Sequence, residues 1–199
     1  MRASRGLSFT SAIVVGLGAI ALLGACTPDE TEPTPSASPT AEEPTPTPTP
    51  TTPPEALAPE RPAEMAEISV AGAEAAATYF LELYPYAYAT NDLTEWRALS
   101  HPECGFCNSV ISNVEEQVVA GTVSLGGLHI DQLYAATISP SRFAVNAVVT
   151  ESPSVEVAGD GSVVSELPTS KTYDVVFALQ RGDTEWIVLE IDATEVVEQ

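Results

Sequence analysis

Positive charge is what this chain most lacks: seven of its 199 residues are lysine or arginine, against 28 aspartates and glutamates, for a formal charge of −21. So few cations leave no electrostatic footprint for nucleic acid, and they set the surface against anionic headgroups. Cysteine is confined to Cys26, Cys104 and Cys107, and histidine to His101 and His129. Zinc at Cys104 and Cys107 would therefore have only the two histidines as its second pair of ligands. No P-loop, GxGxxG, Ser-His-Asp order or metal-spaced cluster occurs, so neither a metal nor a cofactor is expected. Gly159-Asp160-Gly161 lacks the further carboxylates of a calcium loop and reads as a turn. The apolar run Ile13–Leu23 is too short to span a bilayer comfortably.

That run is informative for another reason. Arg2 and Arg5 precede it, which is the charged and apolar order of a secretory signal. Leu23-Gly24-Ala25-Cys26 follows directly and resembles the bacterial lipobox, whose cysteine is acylated on sulfur and becomes the new N-terminus. The expectation is a signal peptide over 1–25 and a lipidated Cys26, with palmitate-type chains anchoring the protein to the outer face of the cell membrane. Each buried methylene contributes ~0.8 kcal/mol, so two or more chains hold where one leaks away. Removal of 1–25 takes two basic residues and no acidic one, leaving 28 acidic against five basic and a charge of −23.

Residues 26–62 hold twelve of the seventeen prolines and hardly a large apolar side chain. Such a stretch cannot bury a core, and its proline density favours polyproline II. It reads as a disordered Pro/Thr-rich tether, able to reach on the order of 100 Å at ~3.1 Å per residue. Glycosylation of its Thr-Pro repeats rests on composition alone.

Residues 63–199 change character, with helical periods first and strand periods afterwards, the order of an α+β domain. Ala73, Ala76, Ala77, Phe80, Tyr84, Ala87 and Tyr88 make one stripe on a helix over about Val70–Asn91, with Pro85 expected to kink it near Leu81. Asp92 and Glu95 stand as N-cap and N3 of a short helix through Leu99. Ser100 and Glu103 have capping-box spacing for a third helix, with Phe106, Val110, Val114 and Val118 as its buried stripe and Gly121 as its stop. Alternation then predicts strands over 127–139, Phe143–Val149, Tyr173–Leu179 and Ile187–Ile191, with a bulge near Asp131.

Helices followed by an antiparallel meander ending in YDVVFALQRGDTEWIVLEI resemble the NTF2-like, or cystatin-like, cone. The segment YAYATNDLTEWRALS resembles the stretch joining its first two helices. Over 63–199, including the C-x-x-C, the chain is similar to an actinobacterial lipoprotein family, the domain of unknown function 6318. The resemblance implies N-terminal helices packed on a curved antiparallel sheet, with room for a pocket between them, and carries no activity.

Cys104 and Cys107 are i and i+3, so on a helical turn their side chains share a face, and outside the cytoplasm they are each other's intramolecular partner. A structural disulfide is the leading reading; redox exchange and metal binding are the alternatives. His129 and Asp131 lie two apart on a strand and could pair as a base and its orienting carboxylate. Leu128 and Ile130 claim the opposite, helix-covered face, so the pair should meet water. Tyr79, Tyr84, Tyr86, Tyr88 and Trp96 crowd one region, as aromatics of a pocket or surface or as core. Three functions follow as expectations: a non-catalytic binding or protein-interaction module in the cell envelope, taking a protein or small-molecule partner; an isomerase- or dehydratase-type enzyme using His129 and Asp131; or a thiol-disulfide protein.

Overall fold

The computed structural model describes residues 56–197. The expected signal segment, Cys26 and the Pro/Thr-rich stretch through residue 55 lie outside the described residues. A 3-10 turn at Ala63–Ala66 leads into three helices, α1 (Val70–Thr90), α2 (Thr94–Leu99) and α3 (Gly105–Ala120). Seven strands follow: β1 (Thr122–Leu125), β2 (Leu128–Ser139), β3 (Arg142–Glu151), β4 (Ser154–Ala158), β5 (Val163–Leu167), β6 (Lys171–Arg181) and β7 (Trp186–Glu195). They form two antiparallel sheets, of order β2-β3-β6-β7 and β1-β4-β5. Helices on an antiparallel sheet are the expected α+β arrangement.

Small side chains let α1 lie close on the sheet. Ala73, Ala77 and Ala87 are fully buried, and Ser69 caps the helix by accepting from the Gly72 N–H at 3.0 Å. Gly72 is required there, since a Cβ would stand 2.2 Å from the Glu67 carbonyl oxygen. The helix runs unbroken through Pro85 and ends at Asn91, whose φ of 61° puts it in the left-handed region. Asn91 holds that conformation by donating from Nδ2 to the Thr122 carbonyl at 3.0 Å and accepting from Gln117 Nε2 at 3.1 Å. One side chain thus ties the end of α1 to α3 and β1.

Both short-range capping expectations shift. α2 starts at Thr94 behind Leu93, and Asp92 serves it from one residue further out by accepting from the Thr94 N–H at 2.9 Å. α3 starts at Gly105 rather than near Ser100. Ser100 instead donates to the Trp96 carbonyl at 2.6 Å and bridges Val188, while the His101 N–H donates to the Val188 carbonyl at 2.9 Å. These bonds to β7 outweigh the capping-box pattern, and Cys104 becomes the cap, its sulfur accepting from the Cys107 N–H at 3.2 Å. On α3 the expected Val118 is exposed and Gln117 is buried, because Gln117 Nε2 serves Asn91 and the Tyr88 carbonyl and its Oε1 accepts from Ser124. Hydrogen-bonding demand at the end of α1 decides which residue faces in.

The four-stranded sheet carries the core on one face. Phe143, Val145, Ala147 and Val149 of β3 are buried, as are Val175, Phe177 and Leu179 of β6. Register shifts at Ile130/Gln132, Thr137/Ser139 and Ala178/Leu179 mark bulges, which bend an antiparallel sheet. At one end of this face the sheet is plugged. Trp186 is buried, its Nε1–H donates to the Met65 carbonyl at 2.8 Å, and its ring lies 5.3 Å from that of Phe143. The other end, where β3 finishes at Glu151 and β6 begins at Lys171, is not filled in this way.

A candidate ligand cavity at the open end

Alternation carries β3 and β6 past their apolar residues to polar ones on the same inward face. Glu151 follows Phe143, Val145, Ala147 and Val149 in the same parity, and Tyr173 precedes Val175 and Phe177 in theirs. Leu128 and Glu151 are cross-strand partners, as are Glu151 and Lys171. Beneath α1 these ends border a half-open cavity of about 280 Å³. Its walls are mostly apolar and aromatic, with Phe80, Trp96, Phe106, Val149, Phe177 and Ile191 among them, and its polar groups are Tyr84, Glu151 and Tyr173. A mostly apolar space with a few converging polar atoms is the general form of a small-molecule site.

A second cavity of about 260 Å³ shares Tyr84 and Glu151 with the first. It extends toward the small sheet and is lined by Tyr88, Ser124, Ser152, Ser154 and the glycines 126 and 127. At Gly126 a Cβ would stand 2.8 Å from the Ser154 Cβ, so a larger residue there would crowd this channel. Tyr84 and Glu151 mark the junction of an apolar chamber and a hydroxyl-lined cleft.

The aromatic packing sets the chamber's shape. Phe80 stacks on Trp96 with ring centroids 4.0 Å apart, and Tyr84 meets Tyr88 edge-on at 5.0 Å. Trp96 is locked by donating from Nε1 to the Cys107 carbonyl at 3.1 Å. Tyr88 is held by Asn113, whose Nδ2 donates to its hydroxyl at 3.1 Å. Burial, reinforced by the Glu151 carboxylate, holds the Tyr84 phenol far above the ordinary tyrosine value of 10. Burial also raises the phenols of Tyr88 and Tyr173, again with Glu151 contributing. At neutral pH these hydroxyls are neutral donors and their rings are unionised.

The sequence-derived candidates divide. Tyr84, Tyr88 and Trp96 line the two cavities. Tyr79 and Tyr86 do not: Tyr79 is buried with its hydroxyl donating to Glu95 Oε2 at 3.0 Å, and Tyr86 donates to Asp92 Oδ2 at 3.1 Å. Tyr173 opens the alternation that predicts its strand, and extending the alternation of Phe143–Val149 by one step places Glu151 on the inner face as well.

His129 and Asp131 stand on the outer face of β2. Their side chains are 77% and 38% exposed, Nε2 and Oδ1 are 3.7 Å apart, and Asp131 accepts from the Thr150 hydroxyl at 2.8 Å. Asp131 occupies the bulge itself, and the strand resumes with Leu133 and Ala135 facing inward. The pair lines neither cavity, so pocket chemistry through it has no geometric basis. Cys104 and Cys107 form a disulfide in which both residues are fully buried, the first turn of α3 closing over it. A buried sulfur pair gives an external thiolate no line of attack, which removes the basis for exchange chemistry while the domain is folded. Among the described residues no group of three or more His, Cys, Asp or Glu side chains could hold a metal ion, and no helix is long and apolar enough to cross a membrane.

Residues 45–192 match the model of the family of unknown function DUF6318, and the chain belongs to that family. No curated protein matches it. Among solved structures it is similar to the intermembrane-space region of the chloroplast protein ARC6, at 12% identity over 64% of this chain and 98% of that one, with a TM-score of 0.51. It is also similar to an uncharacterized protein with a cystatin-like fold from Caulobacter vibrioides, at 12% identity over 61% and 88% of the two chains, with a TM-score of 0.41. At such identities the likeness concerns fold alone.

Proposed function

We propose that this protein is a lipid-anchored, non-catalytic binding module of the bacterial cell envelope, whose open cone end takes a small molecule with an apolar body. Cys26 is the acylated residue, residues 26–62 are the spacer, and the domain from residue 63 is the binding unit. The observation that carries the binding reading is the chamber of about 280 Å³ beneath α1, with aromatic walls and three polar groups at one end. Its composition argues against catalysis. Glu151 is the only carboxylate in its lining, no histidine accompanies it, and its two phenols, Tyr84 and Tyr173, are pushed away from the range useful for proton transfer. Anchoring is supported by the lipobox-like Leu23-Gly24-Ala25-Cys26 behind its apolar run.

Two measurements test this. With Cys26→Ser to keep lipid and detergent out of the titration, and Trp186→Phe to leave Trp96 as the sole tryptophan, the full chain is titrated with tert-butylbenzene. Saturable change in Trp96 fluorescence is expected, and Ala193→Phe, on the cavity wall at the exposed edge strand, should abolish it. No saturable response, or a response unchanged by Ala193→Phe, contradicts the reading. Mass spectrometry of membrane-extracted protein should find an acylated N-terminal Cys26, and an unmodified sulfur there would remove the anchor.

A further inference from the structure

We propose that the ligand of the open end is an organic cation: a substituted ammonium seated at Glu151 among Tyr84, Tyr88 and Tyr173, with an apolar body in the chamber against Trp96 and Ile191. This rests on the binding reading above and names the chemistry that the same site selects.

The polar end of the site has one sign of charge. Neither cavity is lined by a lysine, an arginine or a histidine, and both are lined by Glu151. The cation across the strand from it, Lys171, sends its Nζ to Glu195 Oε2 at 3.0 Å. The remaining cations of the described domain stand elsewhere. Arg61 bridges Glu95 and Glu185, Arg97 pairs with Glu115, Arg142 donates to Gln180, and Arg181 lies over Trp186 at the plugged end. An anionic amphiphile entering the chamber would meet the like charge of Glu151, with no cation in the lining to offset it. A purely neutral one gains nothing from that charge. An ammonium meets it with the opposite sign.

The aromatic groups select the kind of cation. Ring faces carry negative potential, and tyrosines around a carboxylate attract cations whose hydration is weak, which alkylated ammonium groups provide. Because the phenols stay neutral, their rings keep that character and their hydroxyls do not compete as anions. The adjoining cleft, with the hydroxyls of Ser124, Ser152 and Ser154, leaves room for a polar substituent beyond the ammonium.

The test uses three probes of similar shape on the Cys26→Ser chain, followed by methyl shifts of Val149 and Ile191: phenyltrimethylammonium, its neutral isostere tert-butylbenzene, and benzenesulfonate. The cation is expected to bind about tenfold or more tightly than the neutral isostere, with benzenesulfonate weakest. Glu151→Gln should bring cation and neutral probe within about threefold, leaving the neutral affinity unchanged and so reporting an intact fold. Tyr84→Leu should also narrow the gap. If tert-butylbenzene binds and the cation binds no better, or if Glu151→Gln leaves the gap intact, the cation assignment is wrong while the binding reading stands. If no probe binds, both are overturned.

Discussion

The two ends of one sheet face are built from strands of the same period and finish in opposite ways. At the end where β7 begins, the inward positions hold Phe143, Leu179 and Trp186, and the 3-10 turn Ala63–Ala66 closes over them through Met65. Where β3 finishes, the same parity delivers Glu151 and Tyr173, and the space stays partly empty. The plug carries a cost of its own: Nε and Nη1 of Arg181 are buried without a hydrogen-bond partner, and the guanidinium lies 5.9 Å from the Trp186 ring centroid, a contact that offsets part of the loss. Close packing is the default for a core, so a half-open chamber at one end and a plug at the other separate a packed end from the proposed binding end along a single sheet.

That separation predicts where damage is felt. Trp186→Ala removes a fully buried indole and should cost ~3–5 kcal/mol in urea unfolding, with tert-butylbenzene affinity at the far end unchanged. A stability loss accompanied by lost binding would show that the two ends are not independent. Replacing Cys104 and Cys107 together by alanine opens a very small loop and should cost ~2 kcal/mol. Its effect belongs to the open end, since the first turn of α3 carries Phe106 on the chamber wall and the Cys107 carbonyl that fixes Trp96. Weakened probe binding is therefore expected here, in contrast to Trp186→Ala.

Arg61 sharpens the comparison from the outside. It bridges Glu95 and Glu185 at 2.7 and 2.6 Å and lies over Tyr79, joining the stretch before the plug to α2 and to the β6–β7 turn. The hydrogen bond to Glu185, against the penalty of burial, raises the guanidinium above its ordinary value. These side chains are more than a third exposed, so solvent screening limits the network, and Arg61→Ala should cost about 1 kcal/mol or less. The smallest effect is confined to alkaline solution. Tyr84 in the folded chain keeps its proton where the unfolded chain loses it, near pH 10. Its contribution is fully present below pH 10 and falls away as pH rises above it, so Tyr84→Phe should flatten the decline of the urea midpoint above that pH. An unchanged slope would mean that Tyr84 meets water freely.

Much of this architecture was legible as periodicity. The α1 stripe, the main strands, the bulge at Asp131 and the turn at Gly161 each follow from local pattern. What local pattern missed was decided by distant partners. Ser100 had the spacing of a cap, yet its segment is bound to Val188 on a strand nearly ninety residues later. Gln117 is buried by the demands of Asn91 and Tyr88 rather than by its own polarity. The β1-β4-β5 sheet was not anticipated, because β5 is exposed along its whole length and leaves no apolar alternation to detect. The site shows the same division. Tyr84, Tyr88 and Trp96 stood out as a cluster, whereas Glu151 and Tyr173 draw their meaning from the strand parity that turns a carboxylate and a phenol inward.

The most direct test of a stability end and a binding end is the position of a bound probe in the folded chain. Intermolecular NOEs from tert-butylbenzene should reach the methyls of Val149, Val175 and Ile191 and leave those of Val188 and Leu179 untouched. NOEs confined to Val163, Val164 and Leu167 on the exposed small sheet, or to the residues around Trp186, would contradict the account.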